Sequence, residues 1–246
     1  MRLSALPCFA KNRGMTASDD AFANSLTDIL GTWEIHISTD QLSVLQKHYL
    51  AMVETNRSFN LTRITDPYEA AIKHYADSLA LLLWTDQEEC KIERVLDIGT
   101  GAGFPSLPIA VMRPEWSVTA IDATKKKIDF VARTAASLGV PNLHCEHAHS
   151  EHWASSNNRF DLVLCRALSK PTKAIELAGG FVGAGGYLVA YQSDRVDPFE
   201  QRTAQQLATT FHLSCHQPFP YELNCNGEQI KRILQIYKKG SAIRIR

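Results

Sequence analysis

Gly99, Gly101 and Gly103 alternate with other residues directly after the run Val95-Leu96-Asp97-Ile98. Glycines so spaced let bare backbone approach a ligand at the end of a buried strand. The spacing is G-x-G-x-G; the G-x-G-x-x-G of dinucleotide binders would need glycine where Phe104 stands. Asp122 closes the next strand-like run, Val118 to Ile121. A carboxylate there can accept both ribose hydroxyls of an adenosine cofactor, or it can cap the helix that follows. Together with Asp97, these residues point to S-adenosylmethionine (SAM) ahead of a nicotinamide. Ser150 and Glu151 follow the third strand, where an adenine edge can be met by backbone and small polar groups. Arg166 ends the fourth, in Phe160-Asp161-Leu162-Val163-Leu164-Cys165-Arg166, the position facing a transferred methyl group. A guanidinium stays charged and cannot act as a general base. It therefore suits an acceptor that loses no proton, such as guanine N7, where orientation and a polar setting do the work. A structural ion pair is the competing role for Arg166.

The elements that must hold these residues are visible in the periodicity. Residues 19–60 read helical, with Phe22, Leu26, Ile29 and Leu30, then Leu42, Leu45, Tyr49, Met52 and Val53, at helical spacing. Asn56 to Thr62 interrupts them. Asp66-Pro67 signals a new helix with proline at its first position; it carries His74, Asp77 and Ser78 into the apolar run Leu79–Trp84. From Glu93 strand-like segments (94–98, 117–121, 143–147, 160–165, 186–191) alternate with helical ones (105–112, 124–138, 171–181, 197–210), the signature of a doubly wound parallel sheet. Phe211–Pro218 and Glu228–Lys238 read as a final antiparallel pair joined through Asn224-Cys225-Asn226-Gly227. The expected fold is α/β and Rossmann-like, of the class I SAM-dependent methyltransferase kind: a mixed seven-stranded sheet with an N-terminal helical extension. Residues 1–18 are expected to be disordered, 19–91 to form the helical region, 92–240 the methyltransferase domain, and 241–246 a basic tail.

Bulk properties narrow the partners. The chain has 246 residues, 45% hydrophobic and 21% charged, an ordinary globular composition. Its 26 Lys and Arg balance 26 Asp and Glu, so nucleic-acid affinity cannot come from net charge. Lys125, Lys126 and Lys127 form one basic cluster, and six basic residues with no acid run from Lys231 to Arg246; each is a phosphate contact or a solvated face. Six cysteines show no C-x-x-C pair, and His144, His147, His149 and His152 fit no ligand spacing, so no metal is expected. The longest apolar run is too short for a bilayer, and Leu3–Ala10, broken by Pro7, is a poor signal core. Met15 offers an alternative start. The expected location is cytoplasmic.

The assembled pieces resemble one bacterial family, ribosomal RNA small subunit methyltransferase G, also called glucose-inhibited division protein B. The resemblance rests on Phe59-Asn60-Leu61-Thr62, on His74 to Leu79, on Val95 to Pro105, on Arg166-Ala167 and on Glu176-Leu177-Ala178, within about residues 40 to 237. It implies methyl transfer from SAM to N7 of a guanine in the 530 loop of 16S (small-subunit) ribosomal RNA. It also implies that Gly99, Phe104, Ser150, Glu151 and Arg166 bind the cofactor, while Asn60, Thr62, His74, Asp77 and Ser78 shape the pocket from the helical side. The implied partner is small-subunit rRNA or the 30S subunit, with the protein a monomer. Three departures stand out: His149 where the family has arginine, Tyr191-Gln192-Ser193 where it has Lys-Gly, and Ser106 where it has the glycine of Phe-Pro-Gly. Methylation of another RNA or a small molecule, or a non-catalytic assembly role, stay open; the presence of Asp97, Gly99 and Asp122 together favours an active enzyme.

Overall fold

Alternation at period two builds both faces of the sheet. In a computed structural model, which describes residues 17–88, 91–153, 159–166 and 170–240, Leu162 and Leu164 of β4 (Phe160–Cys165) enter one core, and Val163 and Cys165 enter the other. The first core holds α1 (Ala17–Thr32), α2 (Thr39–Asn56), α5 (Ser106–Met112) and α6 (Lys125–Leu138). The second holds Ala174, Ile175 and Ala178 of α7 (Pro171–Ala178) with Ala204 and Ala208 of α8 (Pro198–Thr209). The expectations for residues 1–16 and for the tail 241–246 lie outside the described residues, as do Cys8, Cys90 and Ala167.

Five parallel strands run β1 (Arg94–Ile98), β2 (Ser117–Asp122), β3 (Leu143–His147), β4 and β5 (Val182–Ser193) in chain order, and stand in the order β3-β2-β1-β4-β5. On β5 sits antiparallel β8 (Glu228–Lys239). The far edge of β8 is shared by β6 (Leu213–Cys215) and β7 (Phe219–Cys225), so eight strands fill seven lanes. The terminal hairpin differs in detail from the expected pairing. Its first arm is β7 rather than Phe211–Pro218, because Phe219, Tyr221, Leu223 and Cys225 alternate inward between the polar or proline residues 220, 222 and 224. Its turn is the pair Asn226-Gly227 alone, both at positive φ (54° and 79°), the geometry a tight hairpin needs.

Asp66 caps α3 (Pro67–Ala70) by accepting the Glu69 N–H, with proline at the first position as anticipated. The helix then widens into a π segment, Ala71–Ala76, before α4 (Asp77–Gln87) continues it. Among the described residues no helix is long and apolar enough to cross a membrane.

Candidate functional site

Parallel pairing brings the carboxyl ends of the central strands to one edge: Ile98 is in register with Ile121 and with Cys165. Ligands of open α/β sheets bind at that edge. The glycine turn, Asp122 and Arg166 all emerge there.

The turn is anchored from behind and open in front. Gly99 and Thr100 donate their N–H groups to the Ile121 carbonyl (2.8 and 3.1 Å), and Gly101 donates to Asp122 Oδ2 (2.9 Å). Gly99 and Gly101 have φ of 77° and 60°, and a Cβ on either would meet nothing within 4 Å. Glycine therefore keeps the backbone left-handed and leaves the space before it free. Gly103 (φ 100°) is packed instead, against His48, Leu107 and Val131. Asp122 Oδ1 accepts the Thr124 N–H just before α6 (2.7 Å), and α6 has no side-chain cap, so this carboxylate anchors the two loops rather than capping the helix. Each of its oxygens keeps a lone pair for a hydroxyl.

Asp97 lies fully buried beneath the turn. Its Oδ2 accepts the Ser106 N–H (3.2 Å), and its Oδ1 has no partner. Burial pushes its carboxyl up to about 6, against the lowering effect of its hydroxyl and amide neighbours. An orphaned buried carboxylate oxygen beside an open backbone cradle suits a ligand that brings a positive group, and the ammonium of SAM is such a group.

The opposite wall is the π segment, fastened by Arg166. Nε pairs with Asp77 Oδ2 (2.9 Å), one terminal nitrogen donates to the His74 carbonyl (3.3 Å) and Ser78 Oγ (3.1 Å), and the other donates to the Lys73 carbonyl (2.7 Å) and His74 Nδ1 (3.2 Å). All five guanidinium donors are thereby committed. Since His74 Nδ1 accepts, its proton sits on Nε2, which donates to Thr62 Oγ1 (2.8 Å). Burial and then the Arg166 charge hold His74 down at about 3, so it is neutral. Its ring stacks on Phe104, centroids 4.7 Å apart and 20° from parallel. A π turn at such a place is a common mark of a functional segment. Asp77, buried, also accepts from the Tyr221 hydroxyl (2.7 Å) and Arg232 Nε (3.1 Å), and Ser78 donates to the His74 carbonyl (2.6 Å).

The structure thus joins Thr62, His74, Asp77, Ser78, Phe104 and Arg166 in one network, beside the turn of Gly99, Gly101 and Gly103. Asn60 stands apart, exposed on its loop. Ser150 and Glu151 lie in a single 3-10 turn (Ser150–His152) beyond β3, with Glu151 3.4 Å from Lys173. Its neighbour Ala148 donates its N–H to the Asp122 carbonyl (3.2 Å).

Sequence reasoning missed His48. It joins the turn to the π segment, with Nε2 donating to the Ala102 carbonyl (3.0 Å) and Nδ1 accepting from the Tyr75 hydroxyl (2.7 Å). Burial pushes it down to about 4. The available signal was a polar residue inside the stripe Leu45, Tyr49, Met52 of α2, where an interior histidine needs two partners. Tyr191, which donates to the Ser78 carbonyl (2.8 Å), Tyr221 and Arg232 were missed as well, since they come from distant strands.

The sequence matches the family described as rRNA small subunit methyltransferase G over residues 41–224. Proteins named ribosomal RNA small subunit methyltransferase G are similar along nearly the whole chain. The one from Leuconostoc citreum is 30% identical over 223 residues, covering 89% of this chain and 90% of that protein. The one from Lactococcus lactis subsp. cremoris is 34% identical over 226 residues, with the same coverage. Among solved structures, the YcgJ protein of Bacillus subtilis superposes with a TM-score of 0.50 at 19% identity, over 68% of this chain and all (100%) of that one. A SAM-dependent methyltransferase from Methanosarcina mazei gives 0.50 at 17% identity, over 63% and 97%. At such identities the likeness is one of fold.

Proposed function

The chain belongs to the rRNA small subunit methyltransferase G family, and from that premise we propose that it methylates N7 of a guanine in the 530 loop of small-subunit ribosomal RNA, with SAM as donor. One observation carries the choice of N7: the groups on the π-segment side of the transfer edge that could serve as a base are committed to one another, and Asp97 and Asp122 are taken up by the donor. His74 is neutral with both nitrogens bonded, Asp77 holds two arginines and a tyrosine, and Arg166 is cationic. Methylation of an exocyclic amine or a ring carbon releases a proton and needs a base. Guanine N7 presents a lone pair and releases none, so positioning is enough.

Bound SAM supplies an electrophilic methyl on a sulfonium. The open backbone at Gly99 and Gly101 leaves room for its amino-acid part, and Asp97 Oδ1 receives its ammonium. Asp122 accepts the ribose hydroxyls with its remaining lone pairs, and Ser150-Glu151 borders the adenine. Phe104, stacked on His74, forms an aromatic wall that limits water. Arg166 acts as a positioning residue that ties the π segment to β4, so that Thr62, His74 and Ser78 hold one geometry. The protein acts as a cytoplasmic monomer on small-subunit rRNA or the 30S particle.

The test supplies purified protein with labelled SAM and either naked small-subunit rRNA or intact 30S subunits, and identifies the methylated nucleoside by mass spectrometry. Label on 7-methylguanosine is the expected result. Label on any other nucleoside refutes the N7 reading, and no label on either substrate refutes the enzyme.

A further inference from the structure

Beside the network described above, but outside the cofactor cradle, a cleft of about 450 Å³ opens between the end of β5, the starts of α7 and α8, and Arg232 of β8. That volume lies in the range of sites that enclose a nucleotide-sized ligand. Its walls carry Arg195, Arg232 and Lys170 as cations and Asp197 and Glu200 as anions.

The cations are not fully matched. Glu200 is taken by Lys170 (3.4 Å) and Thr172 (3.1 Å), and Asp197 turns one oxygen to the Phe199 N–H of α8. Arg195 is exposed and, among the described residues, makes no hydrogen bond or ion pair. Arg232 shares its one carboxylate, Asp77, with Arg166, so two guanidiniums lean on a single negative charge. Its Nε is fixed at 3.1 Å from Asp77 Oδ1, and the side chain is 22% exposed, held at its root with its head at the cleft. Antiparallel pairing sets Arg232 opposite Ser193, beside Gln192, at the edge where the transfer site lies. A half-buried, pre-oriented guanidinium with surplus charge, and a second free one across the same cleft, is the chemistry that binds a phosphate.

We propose that this cleft seats a backbone phosphodiester of the RNA strand next to the target base, with Arg232 as the fixed contact and Arg195 as the adaptable one. The proposal rests on the rRNA substrate advanced above. It adds a second anchoring point, which sets the strand's register relative to the methyl donor, since phosphate contacts position and base contacts specify.

The experiment compares wild type, Arg195→Ala and Arg232→Lys. It measures affinity for small-subunit rRNA across salt concentrations, SAM affinity by calorimetry, and steady-state methylation. Arg195→Ala touches no internal bond and so keeps the fold; Arg232→Lys keeps the charge but loses the fixed fork. Loss of one phosphate contact lowers the magnitude of the log K against log salt slope by about 0.7 for a single strand. The expected result for Arg195→Ala is that change in slope, a KM for RNA raised about three- to tenfold, and unchanged SAM affinity. Arg232→Lys is expected to raise the RNA KM as well. Unaltered RNA affinity and salt slope in both variants overturn the cleft assignment while wild-type methylation of guanine N7 still stands. Weakened SAM binding in Arg195→Ala overturns it too, by giving the cleft to the donor. Should wild type bind RNA through these arginines yet methylate none, the enzymatic reading fails and the phosphate site survives.

Discussion

Replacing Arg166 with lysine separates a positioning role from a direct one. The guanidinium makes five hydrogen bonds, one to Asp77, two to main-chain carbonyls of the π segment, one to Ser78 and one to His74. An ammonium has three donors on one atom and cannot span partners that lie on both sides of a planar fork. At least two bonds to a charged donor are lost, each worth about 1.5–3 kcal/mol, for a total of about 3–6 kcal/mol. In a protein of this size that lowers the melting temperature by about 6–24 °C. Urea unfolding followed by circular dichroism gives the stability loss, and calorimetry gives the SAM affinity. The expected outcome is a clear drop in the urea midpoint, weaker SAM binding as the wall formed by His74 and Phe104 loosens, and a residual kcat once both substrates saturate. A variant with wild-type stability and SAM affinity whose kcat collapses would place Arg166 on the reacting atoms and refute the clamp.

Gly101→Asp puts a side chain on a backbone at φ 60°, at a strain of about 1 kcal/mol, and projects a carboxylate into the open cradle close to Asp122. The fold is expected to persist while SAM affinity falls by at least about 100-fold, since an unpaired like charge is introduced; unchanged affinity in calorimetry removes the cradle. The free carboxyl of Asp97 titrates at about 6, and a cation beside it favours the charged form, so SAM binding releases a proton there. Affinity is therefore expected to strengthen as pH rises through 6, by up to about tenfold per unit below it, and Asp97→Asn flattens the profile; a flat wild-type profile separates Asp97 from the ligand. His48 and His74 are buried neutral, at about 4 and about 3, against about 6.5 when unfolded. Their contribution to stability is fully present above pH 6.5 and is lost as pH falls towards those lower values, because the unfolded chain takes up the protons first. His48→Gln keeps a donor and an acceptor without titrating, so its urea midpoint should fall less between pH 7 and 4; an identical fall excludes His48 as a source of the acid sensitivity.

Local periodicity made the central sheet legible. β1, β3 and β4 coincide with their expected spans: β1 and β4 because a strand buried between two helical layers is an apolar run bounded by turn residues, and the edge strand β3 because Leu143 and Cys145 alternate with exposed polar residues. The glycine turn was legible for a related reason: positive φ at Gly99 and Gly101 is a demand each residue meets by itself. β7 escaped because its inward residues alternate with proline, glutamate and asparagine, which read as a loop. The roles of the site residues were less accessible. Arg166, Asp122 and Asp77 were singled out, as were Gly101, His74 and Ser78, but the bonds that join them were not, nor were Lys73, Tyr221 and Arg232 as partners, because the chain separates the groups: Lys73 is 93 residues from Arg166, and Asp77 is 155 from Arg232.

By itself the sequence determined an α/β methyltransferase sheet, an open backbone turn and the charged residues at its edge, since each of these follows from neighbours within one turn or one strand. Tertiary structure alone decided that Arg166 clamps a π segment, that His48 bridges that segment to the glycine turn, and that one buried carboxylate serves two arginines. The reason is physical. A hydrogen bond or an ion pair depends on distances of a few ångströms between side chains, and only packing of the helical layer onto the sheet sets those distances.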